Sequence, residues 1–188
     1  MRQVKFISGE KIYLRPVEES DFELVLFGKN DIRVRETLFL NKPVNSEEIK
    51  NELKKLLLSK ETIMFTICTL DGDIPVGQTG LFRVDHVSRA AVFYIAIYDP
   101  DYWSKGFGTE ATKLLIEYSF DILNLNRIQL HVSTENKYAV EAYKKSGYTI
   151  EGILRQAMYH SNKYVDFYVM SILREEYYDS SNAPTSHN

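Results

Sequence analysis

The stretch that decides the fold is Tyr102–Ala111, YWSKGFGTEA, with the strand-like AAVFYIAI of Ala90–Ile97 before it and a helical run after it. Thr109–Ile122 places Ala111, Leu114, Leu115, Tyr118 and Ile122 on one helical face. The unit therefore reads strand, glycine turn, helix. Gly106 and Gly108 bracket Phe107 at the predicted helix start, where missing side chains let backbone N–H groups approach an anion. A pyrophosphate suits such a turn, with Lys105 adding charge at its rim. A turn that needs glycine only for its backbone angles is the competing reading.

Two nucleotide motifs are close to this pattern. Gly106-x-Gly108-x-x-Ala111 fits the dinucleotide fingerprint of an oxidoreductase, but the loop 98–105 separates strand from glycine, and Glu135 comes too late for the acidic partner. A P-loop is excluded because no Gly-Lys-Ser/Thr follows.

Outward from the turn, Lys11–Arg15 alternates as a strand that Pro16 stops, and Ser20 with Glu23 forms a capping pair ahead of a helix at Phe22–Phe27. Ser46 precedes a second helix with Ile49, Leu53, Leu56 and Leu57 on one face. Strands are predicted at Ile63–Thr69 and Ile74–Phe82 across an Asp71-Gly72 turn, and at Arg127–Ser133. Asn136 caps a helix at Lys137–Ser146 that Gly147 ends, and strands at Tyr148–Leu154 and Tyr164–Ile172 meet through Ser161-Asn162. The class is α/β or α+β, with helices flanking one mixed sheet in a single domain over residues 1–178 and a polar, disordered tail at 179–188.

The chain has 188 residues, 44% of them hydrophobic, enough for one substantial core. A formal charge of −3 argues against a nucleic-acid surface. Cys68 is the only cysteine, so an internal disulfide is excluded, and its apolar setting IMFTICT marks a small buried residue. The N-terminus carries no apolar run of signal-peptide length and no segment approaches the ~20 apolar residues of a membrane span. A cytoplasmic protein that binds neither membrane nor metal is expected.

The order of FYIAI, WSKGFGTEA, RIQLHV and ENKYAVEAYKKSGY resembles the GNAT superfamily of N-acetyltransferases, in the branch of ribosomal-protein alanine and spermidine acetyltransferases. IYLRPVEESDFE near the start and EGILRQAMYHSNKYVDFYVMSIL near the end extend the resemblance over nearly the whole chain. It implies a mostly antiparallel sheet whose fourth and fifth strands splay apart to admit acetyl-coenzyme A. It implies that Ile95, Ala96 and Ile97 present strand backbone to the pantetheine. Trp103, Ser104, Lys105, Gly106, Phe107, Gly108 and Thr109 would wrap the pyrophosphate, and Asn136 would contact the coenzyme. Tyr143 would protonate the departing thiolate, although its helical spacing with Ala139 and Ala142 also suits a core residue. The acceptor is an amine, whether a small molecule, a polyamine or a protein N-terminus. It would be selected by residues 22–58 and 159–164. A homodimer is left open.

The sequence departs from the family at the base. Many relatives carry a glutamate on the fourth strand where this chain has Val92. His131, Glu135 and Asp166 are the remaining candidates, each with a surface or hydrogen-bonded role as the plainer reading. A non-catalytic acyl-coenzyme A-binding module is the alternative that Val92 motivates.

Overall fold

The computed structural model describes residues 4–182. Among them, one eight-stranded sheet has the order β1-β2-β3-β4-β5-β6-β8-β7. Its strands are β1 (Ile7–Ser8), β2 (Ile12–Pro16), β3 (Ile63–Thr69), β4 (Pro75–Asp85), β5 (Ala90–Ile97), β6 (Arg127–Ser133), β7 (Thr149–His160) and β8 (Lys163–Leu173). All neighbours are antiparallel except β5 and β6. The helices are α1 (Phe22–Asn30), α2 (Ile32–Leu38), α3 (Ser46–Leu58), α4 (Phe107–Glu117), α5 (Lys137–Lys145) and α6 (Arg174–Asn182). The expected mixed sheet flanked by helices is thus the observed architecture. The folded part continues in α6 past the expected boundary at residue 178, and residues 183–188 of the predicted tail lie outside the described residues.

Strand alternation builds a core on each face of the sheet. One cluster joins Leu81, Phe93, Ile128 and Leu130 to Leu115 of α4 and Val140 of α5. The other joins Ala96 and Tyr98 to Val25, Val34, Ile49 and Leu53 of α1, α2 and α3. Period-two burial on β5 sends neighbouring residues to opposite clusters, which later separates the two sides of the site.

Several local expectations need correction. The capping pair Ser20 with Glu23 does not form. Asp21 accepts from Glu18 N–H at 2.9 Å instead, after a short 3₁₀ turn at Glu19–Asp21. α3 starts at Ser46 itself, capped by Asn45 with Glu48. The β3–β4 turn centres one residue later than predicted, with Gly72 and Asp73 both left-handed (φ 81° and 52°). The expected helix to Ile122 is α-helical only to Glu117 and closes in a wider π-turn over Tyr118–Ile122. Asn136 does cap α5, its side chain accepting from Ala139 N–H at 3.0 Å, and Gly147 is left-handed at φ 95° just past the helix.

Asp21 also closes a buried charge pair that fixes α1 to the sheet. Its carboxylate accepts from Arg15 Nη2 at 2.6 Å, Arg15 Nη1 at 2.8 Å and the Thr66 hydroxyl at 2.6 Å, with Asp21 only 1% exposed. Hydrogen bonding to Asp21 holds the Arg15 guanidinium above its ordinary pKa. Asp21→Ala is expected to destabilise the protein by about 3–5 kcal/mol in chemical denaturation, because it leaves Arg15 buried and uncompensated. A loss under ~1 kcal/mol would mean that Arg15 finds another partner or water.

Candidate active site

β5 and β6 pair only at Ala90 with Arg127, Ala91 with Ile128 and Val92 with Gln129. Beyond Val92 they diverge. The two-residue β1 shifts the numbering by one, so these are the splayed fourth and fifth strands that the resemblance implies. Tyr98 N–H bonds Val76 O across β4 at 2.9 Å, so alternation turns the peptide groups of Phe93 and Ile95 toward the gap.

The gap opens into a cleft of about 500 Å³. Every predicted coenzyme residue lines it except Lys105: Ile95, Ala96, Ile97, Trp103, Ser104, Gly106, Phe107, Gly108, Thr109 and Asn136 all do, as does Tyr143. Lys105 instead rests its ammonium 4.5 Å from the Tyr102 ring, at the outer rim of the turn. Trp103 donates its indole N–H to Ile97 O at 3.0 Å. That bond ties the glycine turn to the end of β5 and occupies the indole's single donor, so Trp103 positions the loop by packing and by this contact.

The two glycines of the turn differ in kind. Gly106 is left-handed at φ 86°, which is the backbone reason for a glycine. Gly108 has no such reason: it lacks a positive φ, and a Cβ there would meet only Ile95 Cδ1 at 4.0 Å. Its absent side chain keeps open a space that no protein atom fills. No side chain caps α4, whose first-turn amides therefore have no partner of that kind. Glu110, in the same turn, would repel a phosphate, but its Oε1 accepts from Glu10, Lys11 and Ile12 N–H at 2.6, 2.9 and 3.4 Å. The carboxylate is thereby held against the β1–β2 hairpin, and the helix N-terminus stays favourable to an anion.

Tyr143 lies across the cleft on α5, edge-on to Phe93 at 6.0 Å and to Tyr148 at 5.8 Å. Its hydroxyl has no hydrogen-bond partner among the described residues. Burial, and secondarily the nearby Tyr94, raises its pKa above the ordinary phenol value, so the group stays protonated and able to donate.

The base candidates separate cleanly. His131 lines the cleft. Glu135 is bonded to Lys163 at 2.6 Å, and Asp166 accepts from Gln156 N–H at 2.7 Å, and neither lines the cleft. Val92 sits at the last paired rung, short of the gap. Cys68 is fully buried, burial raises its pKa, and it is also absent from the cleft wall.

The far rim falls in and beside the two regions, 22–58 and 159–164, that the resemblance implies, with residues that sequence reasoning did not single out. Thr37, Leu38 and Phe39 from the end of α2, with Met158 and Phe167 from the β7–β8 hairpin, complete the lining. Phe39 is left-handed at φ 56° and packs on His160 and Phe167 at 4.6 and 5.1 Å. Glu36 Oε2 lies 3.0 Å from His160 Nε2, joining the two rims. Among the described residues no three His, Cys, Asp or Glu side chains group as metal ligands, and no helix is long and apolar enough to cross a membrane.

A parallel pair split beside a glycine turn and an open helix N-terminus defines the class: an acyl-coenzyme A-dependent transferase. The sequence profile of the acetyltransferase (GNAT) domain matches residues 11–149, and the chain belongs to that family. It is 30% identical over 177 residues to spermidine N(1)-acetyltransferase of Escherichia coli K12, which covers 94% of each chain. It is 28% identical over 173 residues to the Vibrio cholerae spermidine N(1)-acetyltransferase, covering 92% of this chain and 99% of that one. The crystal structure of spermidine N-acetyltransferase from Vibrio cholerae in complex with CoA and spermine superposes with a TM-score of 0.82 at 28% identity, over 89% of this chain and 98% of that one. The protein is an acetyl-coenzyme A-dependent N-acetyltransferase. The oxidoreductase reading of the glycines falls with that membership, and so does the non-catalytic reading.

Proposed function

We propose that this enzyme acetylates a polyamine such as spermidine, with the amine attacking the acetyl thioester directly while both substrates are bound. The near full-length similarity to spermidine acetyltransferases carries the choice of acceptor. Glu36, one residue before the cleft-lining Thr37, supplies negative charge at the α2 rim that suits a cationic chain. Direct attack needs no protein nucleophile, in keeping with the burial of Cys68.

In this reading the peptide groups of Ile95 and Ile97 and the amide of Asn136 hold the pantetheine arm, Ala96 turning its own to Gln78 of β4, and the turn Trp103–Thr109 receives the pyrophosphate. Lys105 adds charge at the rim. Tyr143 donates its proton to the leaving sulfur. Thiol release measured across spermidine, spermine, putrescine, free amino acids and an alanine-starting peptide tests the acceptor. Spermidine or spermine is expected to give the highest kcat/KM. A peptide that exceeds both would overturn the polyamine reading and leave acetyl transfer standing.

A further inference from the structure

An ammonium acceptor must lose a proton before its nitrogen can attack, and β5 carries no carboxylate to take it, with Val92 at its last paired rung. The cleft-lining residue two positions on is Tyr94, whose hydroxyl lies 2.7 Å from that of Tyr98. We propose that the Tyr94–Tyr98 hydroxyl pair is the proton exit for the acceptor amine, leading from the cleft toward the surface beside Glu52. The inference rests on acetyl transfer to an amine and not on which amine is used.

Placement supports it first. Phe93 belongs to the core cluster shared with α4 and α5, and Tyr143 packs on that side. Tyr94 belongs with the α1–α3 cluster, packed on Phe82 at 5.6 Å, the side on which Thr37–Phe39 form the rim. The two phenols thus approach the split from opposite faces. A thioester between them has a proton donor on the thiol side and a proton acceptor on the amine side.

The inner partner is held rigidly. A Cβ on Gly28 would come within 2.4 Å of Tyr98 Cδ1, so α1 lies directly against the Tyr98 ring and only glycine fits there. Tyr98 itself is 1% exposed. At the outer end, Lys29 follows Gly28 on α1 and bonds the Glu52 carboxylate at 2.6 Å, and the Glu52 side chain is 47% exposed. Burial, opposed by the Tyr98 hydrogen bond, moves Tyr94 up to about 12, and Tyr98 lies well above its ordinary value. Both hydroxyls therefore remain neutral relays and do not become standing charges. The titratable groups around the pair are Tyr143 of α5, Glu52 of α3 with Lys29 of α1, and His131 across the cleft.

The transfer balances. One ammonium N–H bond breaks and leaves its electron pair on nitrogen. That proton bonds to Tyr94 oxygen as the Tyr94 proton passes to Tyr98 and the Tyr98 proton passes to the Glu52 carboxylate, whose exposed side releases it to water. The freed pair forms the new C–N bond, the C–S bond breaks, the thiolate takes the Tyr143 proton, and the acylated nitrogen loses its second proton to water. The net products are the amide, coenzyme A thiol and one proton in solvent, and Tyr143 is reprotonated from water.

The test uses Tyr94→Phe and Tyr98→Phe, both close to isosteric, with the amine that the wild-type enzyme turns over fastest in the acceptor panel. At pH 7, kcat is expected to fall ~100-fold for Tyr94→Phe and ~10-fold for Tyr98→Phe. Both deficits should shrink steadily toward pH 9.5, as the amine loses its proton in solution, and acetyl-coenzyme A affinity by calorimetry should stay within about twofold. A loss that is constant across pH, a loss confined to coenzyme affinity, or wild-type rates in both variants would overturn the relay. If the phenylalanine variants do not fold, Glu52→Gln carries the test: about threefold slower at pH 7 and recovered by pH 9.5 supports the exit, and an unchanged profile rejects it.

Discussion

Gly108→Asp is expected to weaken coenzyme A binding at least ~100-fold while leaving the fold intact, read by calorimetry alongside circular dichroism and thermal melting. A carboxylate at ~4 Å from a phosphate costs on the order of 4 kcal/mol at an effective dielectric near 20, which is more than that factor requires. The fold should be indifferent, because the nearest atom to a Cβ at this position is Ile95 Cδ1 at 4.0 Å. Gly106 provides the contrast. At φ 86° any side chain there strains the backbone by ~1–2 kcal/mol, so Gly106→Ala should lower stability as well as binding. If Gly108→Asp folds and binds coenzyme A normally, the pyrophosphate does not sit at this turn.

The difference between those two glycines shows what a sequence can and cannot disclose. Both stand in the same pattern, KGFGT, and the fingerprint treats them alike. Only three-dimensional surroundings separate a glycine needed for its dihedral from one needed for the space beside it. Elements whose physics is local were legible. β3 and β6 appear with their predicted bounds because each is a compact apolar or alternating run, and Asn136 and Gly147 delimit α5 through caps that act within four residues.

Elements whose physics is tertiary were not. α2 is seven residues of IRVRETL, too short and too rich in β-branched and charged side chains to announce itself, and Asp31 starts it by accepting from Arg33 N–H at 2.8 Å. β7 runs six residues past its predicted end at Leu154 because almost none of it is buried. Its period-two signal is weak, and its ladder with β8 shifts register between Leu154 and Met158. The acceptor rim is built from these two elements, which is why the donor side could be named residue by residue while the acceptor side was placed only as the regions 22–58 and 159–164. Tyr94 and Tyr98 belong to the same class. Four residues apart across the end of a strand, they form no motif until β5 and the backbone of α1 at Gly28 bring their hydroxyls together.

Tyr143→Phe is expected to lower kcat ~100-fold with little change in acetyl-coenzyme A affinity. The change removes one oxygen and keeps the ring, so the edge contacts to Phe93 and Tyr148 survive and the fold should too. A core role predicts the reverse of a catalytic one: loss of stability with an unaltered rate. The hydroxyl has no protein partner to lose, so a structural penalty has no source in the described residues. The sign of the pH effect follows from its environment. Burial raises the phenol's pKa, so the donor is protonated across the neutral range and wild-type kcat should show no fall from its ionisation below pH 9. A leaving group that needs no protonation supplies the decisive comparison. With an acetyl thioester of an acidic thiophenol, whose thiolate departs unaided, the variant should recover most of the wild-type rate. Equal impairment with both thioesters would remove Tyr143 from the chemistry and return it to the packing of α5.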